Sequence, residues 1–187
     1  MAMRQFVFNA LLAENSLAQL AGDGISVRGV ATPPVITVDE FGFSPRIVYD
    51  AKKMASVFTA FFCLENSARE LIAERLLSRK GAEWWNVAVP SKIRAAVEKL
   101  KEKEAVNRYH TARSSALIGY TLFGHLGQII IANWDDFSDL FPEQHWVMSR
   151  FADLEMSRNI IMHTGTLPQI EVDRIESILR DWNRQVG

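Results

Sequence analysis

Between Ser44-Pro45 and Gly81 the chain carries apolar residues at helical spacing on two faces at once. Met54, Val57, Phe61, Leu64, Ala68 and Leu71 form one stripe. Phe58, Phe62, Ile72 and Leu76 form a second, which also holds Glu65 and Arg69. Ser44 and Pro45 suit an N-cap and a first-turn proline, and Gly81 suits a stop. The spacing predicts one helix over roughly 45 to 80. A helix that is apolar on two faces is mostly buried, so the rest of the chain must supply elements to cover it.

Most of the remaining chain also reads as helix. Ser91 is placed to cap a helix carrying Lys92, Glu98, Lys99, Lys101, Glu102, Lys103 and Glu104, whose mixed signs describe a solvated face. A long apolar helix is expected from about Val106 to Asn133, and Phe141-Pro142 breaks the chain after it. The next helix runs from about Glu143 to His163 and ends near Gly165. Thr166 and Gln169 have capping-box spacing, with Pro168 in the first turn of a last helix that buries Ile175, Ile178, Leu179 and Trp182. Trp84 and Trp85 lie in a connector, where they either pack over the bundle end or stack on bases. Ahead of this, residues 4–20 read as a first helix ended by Gly22-Asp23-Gly24, and two short extended pieces, one holding Ile25, Val27 and Val30 and the other Val35 to Val38, flank Pro33-Pro34. The fold expected is all-α. It is an antiparallel bundle of four to five long helices over 46–187, preceded by a partly extended N-terminal extension over 1–45.

Composition narrows the function. With 187 residues, 48% of them hydrophobic, the chain can bury a sizeable core. A net charge of −1 provides no global field for nucleic acid, so an RNA-binding role requires a local basic cleft. One cysteine, Cys63, excludes an intramolecular disulfide and a cysteine metal cluster; its apolar neighbours suggest a buried core residue. The N-terminus lacks the pattern of a secretory signal, which suggests the reducing cytoplasm. The apolar stretch from Ala116 to Trp134 is interrupted by His125, Gln128 and three glycines. It reads as a buried helix whose glycines admit a neighbour, and no membrane partner is expected. His110, His125, His145 and His163 include no i, i+4 pair, and no metal or other cofactor is expected.

Chemistry concentrates in the helix before Gly165. Val147, Phe151, Leu154, Arg158 and Ile161 share one stripe, so a guanidinium sits where a core residue belongs. Arg158 therefore needs a carboxylate, a polar cleft or a partner subunit. Glu65 and Arg69 pose the same problem on their helix, either as site residues or as a self-satisfied i, i+4 pair. Two such places predict a polar cleft between the helices. His163 falls in a last turn, where the helix dipole favours imidazolium. A histidine that moves protons beside an arginine that stabilises charge on phosphorus suits phosphoester chemistry on a ribose 2′-OH. Residues five apart on a helix point about 140° apart, about 7.5 Å along the axis. A frayed last turn, or a second copy across a two-fold axis, would bring them together, and the latter predicts a homodimer with a composite cleft.

The stretch Arg158-Asn159-Ile160-Ile161-Met162-His163 resembles the motif of the HEPN (higher eukaryotes and prokaryotes nucleotide-binding) superfamily. In that family an arginine, often followed by a polar residue, precedes a histidine by four to six residues. Residues 62–72, Phe-Cys-Leu-Glu-Asn-Ser-Ala-Arg-Glu-Leu-Ile, resemble its early helix, and residues 126–137 resemble the segment before its motif helix. The resemblance covers about residues 46 to 187. It implies a metal-independent endoribonuclease acting as a dimer, with Arg158 and His163 catalytic and Asn159 supporting. The products implied are 2′,3′-cyclic phosphate and 5′-hydroxyl ends. It also implies a toxin or antiphage-defence role, held in check by an antitoxin or sensor protein. Other members are inactive and dimerise, bind nucleotides or regulate a partner, so a non-catalytic module remains the alternative.

Overall fold

The structure, a computed structural model, describes Ser16, residues 38–106 and residues 109–186. Apart from Ser16, which is helical, the expected first helix and the extended pieces before Val38 lie outside the described residues. The chain divides into two compact units, Met1–Ser44 and Pro45–Gly187. In the first, Val38–Phe41 is a 3-10 turn, and Gly42 follows at a φ of 70°.

The second unit is all-α, with no strand among the described residues. Its helices are α1 (Pro45–Lys80), α2 (Trp84–Ala88), α3 (Ser91–Ala105), α4 (Phe123–Ala132), α5 (Trp134–Phe137), α6 (Gln144–Met162) and α7 (Gln169–Val186). A 3-10 turn, Leu117–Tyr120, precedes α4. Gly81, at a φ of 75°, ends α1 in the left-handed conformation glycine adopts without penalty. Among the described residues no helix is long and apolar enough to cross a membrane.

The core is a shared aromatic spine. Phe61 of α1 meets Phe123 of α4 edge-on at 6.2 Å, Phe123 meets Phe151 of α6 at 5.9 Å, and Phe151 meets Trp182 of α7 at 5.8 Å. Such pairs add about 0.5–1.5 kcal/mol each beyond their burial. Trp182 Nε1 also donates to Ser67 Oγ at 3.2 Å, and Arg150 joins Asp181 at 3.0 Å, so α7 is tied to both α1 and α6. The glycines of α4 face α6 as expected. A Cβ on Gly124 would lie 2.5 Å from Glu155 Oε2, and one on Gly127 would touch Phe151 and Met148. Trp84 and Trp85 pack edge-to-face, 5.6 Å apart, against the core.

Several expectations fail for physical reasons. The helix over Val106–Asn133 does not form as one piece: described residues 109–116 are irregular and the α-helix begins only at Phe123. Hydroxyl side chains capture the backbone instead. Ser114 Oγ accepts from the Ala116 amide at 3.0 Å, and Thr121 Oγ1 donates to the Ile118 carbonyl at 2.6 Å. Gly119 lies so close to Ser114 that a Cβ would overlap it at 2.2 Å. Ser91 starts α3 but makes no capping bond; Pro90 occupies the cap. Gln169 donates forward to Asp173 at 2.9 Å, and the Pro168 carbonyl accepts from Glu171 at 3.0 Å. Cys63 is exposed, because it lies about 160° around α1 from the centre of the buried stripe. Of the second stripe, Ile72 and Leu76 are buried, whereas Phe58 and Phe62 are 44% and 60% exposed.

Candidate functional site

Glu65 lies near the middle of the buried face of α1, and its side chain is 9% exposed. A carboxylate there must be paired. Arg69, one turn on, donates to Glu65 Oε1 through Nη2, to the Thr121 carbonyl at 2.8 Å, and through Nη1 to Asn66 Oδ1 at 3.1 Å. Burial lowers the Arg69 pKa, Glu65 opposes that, and the nearby Arg158 and Arg113 lower it further.

Arg158, on the stripe of α6 that buries Val147, Phe151 and Leu154, faces the same carboxylate: its Nε is 3.9 Å from Glu65 Oε2. Glu65 is thus shared between two guanidiniums on two helices. Among the described residues this is the only salt bridge Arg158 makes, and 28% of its side chain remains exposed. The polar cleft expected between the helices is present, with a volume of about 500 Å³. Glu65, Asn66, Arg69 and Arg158 line it, with Phe58, Phe62 and Met162 on its rim.

Two charged residues in the cleft escape sequence reasoning. Arg113, from the irregular segment before the 3-10 turn, bonds Glu104 Oε1 through Nε at 2.6 Å and lies over the Tyr120 ring at 5.6 Å. Glu104, at the end of α3, belongs to a charge run read as solvated. It is the partly buried member of that run, because Arg113 folds back onto it. The only local signal is the cluster Thr111, Ser114 and Ser115 around Arg113, which favours a turn over the helix assumed.

His163 and Asn159 are not brought into this cleft. Both are exposed, and His163 is the C-cap of α6. The turn around His163 is a Schellman motif: the Gly165 amide donates to the Ile160 carbonyl at 2.8 Å and the Thr164 amide to the Ile161 carbonyl at 3.0 Å. Thr164 therefore stands where glycine is usual, at a φ of 62°. Gly165 is required, because a Cβ would come within 2.6 Å of Ile160 Cγ2 and 2.9 Å of the Ile160 carbonyl oxygen. Met162, beside His163, also borders a second, apolar trough of about 570 Å³ between the start of α1 and the end of α6. Ile47, Met54, Phe58, Ile161 and Thr164 line that trough.

The structure therefore assembles Glu65, Arg69 and Arg158 in one concavity and leaves Asn159 and His163 on the surface at its edge-forming helix. Among the described residues, the cleft brings guanidiniums and carboxylates together but no imidazole, and the helix end offers an imidazole without a pocket. Among the described residues, no group of three or more His, Cys, Asp or Glu side chains is placed to hold a metal ion. Compared with protein families, curated proteins and solved structures, the chain has no match.

Proposed function

We propose that the chain is a metal-independent endoribonuclease of HEPN type that works as a homodimer, with Arg158 and His163 catalytic and Asn159 supporting. In this reading His163 takes the proton of a ribose 2′-OH, the 2′ oxygen bonds to phosphorus, and the bond from phosphorus to the 5′ oxygen breaks. That oxygen leaves with a proton drawn from water, giving a 2′,3′-cyclic phosphate and a 5′-hydroxyl end. Arg158 stabilises the charge that builds on the phosphoryl oxygens. The supporting observation is the state of Arg158: a partly exposed guanidinium on a core stripe, held only at 3.9 Å by a carboxylate that Arg69 already occupies. An anion in the cleft can engage it without first breaking a tight pair. Because His163 lies outside the cleft of its own chain, a second copy is assigned the task of supplying it. The biological role proposed is a cytoplasmic toxin or antiphage effector restrained by an antitoxin or sensor protein.

The separation of His163 from the cleft favours a second reading, a non-catalytic HEPN-type module that dimerises, binds a nucleotide or regulates a partner. Metal-free cleavage of a mixed RNA pool in EDTA decides between them. The nuclease reading expects wild-type cleavage to leave cyclic phosphate ends, and a loss of about 10²–10³-fold in Arg158→Ala and 10²–10⁴-fold in His163→Ala. A folded wild-type dimer that leaves RNA intact selects the second reading.

A further inference from the structure

The described cleft contains three guanidiniums from three separate elements: Arg69 on α1, Arg158 on α6 and Arg113 on the segment before Leu117. Only two carboxylates, Glu65 and Glu104, answer them, which leaves one positive charge in excess. Three converging arginines repel one another unless something else is bound. The mutual effect is visible at Arg69, whose charged form both other arginines disfavour. Arginine's planar fork matches a phosphate better than it matches a single carboxylate oxygen. Arg113 is held in just that poorer arrangement, with Nε and Nη2 both directed at Glu104 Oε1. Phe62 lines the same cleft and is 60% exposed, with the Phe58 ring tilted beside it at 6.4 Å; an exposed aromatic ring is a platform on which a base can stack.

We propose that Arg69, Arg113 and Arg158 form a phosphate seat for an RNA strand. Arg113 is a positioning residue that turns from Glu104 to an entering phosphodiester, and Phe62 stacks the adjacent base. The identity of the ligand as RNA rests on the nuclease reading; the phosphate seat itself does not. Glu104 acts as a stand-in anion that keeps Arg113 poised while the cleft is empty. Any phosphate that enters must displace it, and the excess positive charge favours that exchange.

The test is binding, kept apart from cleavage. A fluorescent, single-stranded 2′-O-methyl RNA oligomer lacks the nucleophilic hydroxyl, so anisotropy reads affinity alone. Arg113→Ala is expected to bind about tenfold more weakly and to lower the salt dependence of binding by about one phosphate contact. Phe62→Ala is expected to lose roughly five- to hundredfold. Glu104→Gln is expected to bind severalfold more tightly, which a misfolded variant cannot do. Arg180→Ala, which removes an exposed pair with Glu176 on α7, is the control and should match wild type. Wild-type affinity in both Arg113→Ala and Glu104→Gln overturns the proposal, as does an absence of binding by the folded wild type. Competition by adenosine monophosphate at concentrations equal to the oligomer overturns the strand assignment in favour of a free nucleotide. Binding that responds to Arg113 and Glu104 in a protein that does not cleave RNA upholds the seat and removes the nuclease. Cleavage with an unchanged KM in Arg113→Ala does the reverse.

Discussion

Thr164→Gly should make the protein more stable and, if the nuclease reading holds, less active. Thr164 sits at a φ of 62°, one residue after His163. The left-handed region costs an L-residue about 1–2 kcal/mol, and a β-branched side chain is at the upper end. Glycine removes that strain but loses more freedom on folding, about 0.5–1 kcal/mol. The Thr164 hydroxyl donates only to the neighbouring His163 carbonyl, at an exposed site where water can replace it. The net gain is about 0.5–1 kcal/mol. With a urea m-value of about 1–3 kcal/mol/M, the unfolding midpoint should rise by a few tenths molar. Thr164→Ala keeps a Cβ in the same conformation and should gain little. Gly165→Ala, two residues after His163, should instead destabilise by about 1–3 kcal/mol through overlap with Ile160. A midpoint for Thr164→Gly at or below that of Thr164→Ala would refute stored strain. Strain held beside a functional group commonly serves to fix it, so RNA cleavage should fall as the midpoint rises.

Glu65→Ala leaves Arg69 and Arg158 facing each other without a counter-ion, and should cost about 3 kcal/mol in urea unfolding, the lower end for a broken buried pair because Arg158 is partly exposed; a change below about 1 kcal/mol would mean that the shared carboxylate is not what joins α1 to α6. The His125 pKa is lowered from its ordinary 6.5 by burial, against the opposing pull of Glu155, and its Nδ1 accepts from the Leu122 amide at 3.3 Å. A depressed histidine favours the folded state only while neutral. Its contribution is therefore complete above pH 6.5 and is lost as pH falls through 6.5 towards the lowered value. Thermal melts should show Tm declining over that window, and His125→Gln should flatten the decline.

The parts of the fold that could be read in the sequence are those set by local rules. Helix α1 follows from Pro45, Gly81 and the periodic residues between them, and α6 from a stripe whose apolar members Val147, Phe151 and Leu154 are all buried. The same stripe exposed the anomaly of Arg158, and the requirement that a guanidinium there find a carboxylate is met by Glu65. What escaped was set by tertiary contact or by side chains competing with the helix. The apolar content of residues 116–132 masked the hydroxyls of Ser114 and Thr121 and the tight approach of Gly119 to Ser114. That error hid Arg113, because a residue within a helix would not have folded back onto Glu104. Cys63 has apolar neighbours in sequence, but its angle around α1 points it to solvent. The two misplaced charge sites signal a polar cleft between the helices, but that Glu65 is the carboxylate they share is set by packing alone.

The walls of the cleft are far apart along the chain. The Thr121 carbonyl held by Arg69 is 52 residues away, and Arg158, which faces Glu65, comes from α6. Contacts of this span form late, after the loops between them close. During synthesis α1 leaves the ribosome well before α6, so Glu65 at first has only Arg69 as a partner. A half-made or truncated chain that stops short of α6 has neither Arg158 nor the turn that sets His163. The concavity lined by Glu65, Arg69 and Arg158 is complete only once α6 has docked on α1.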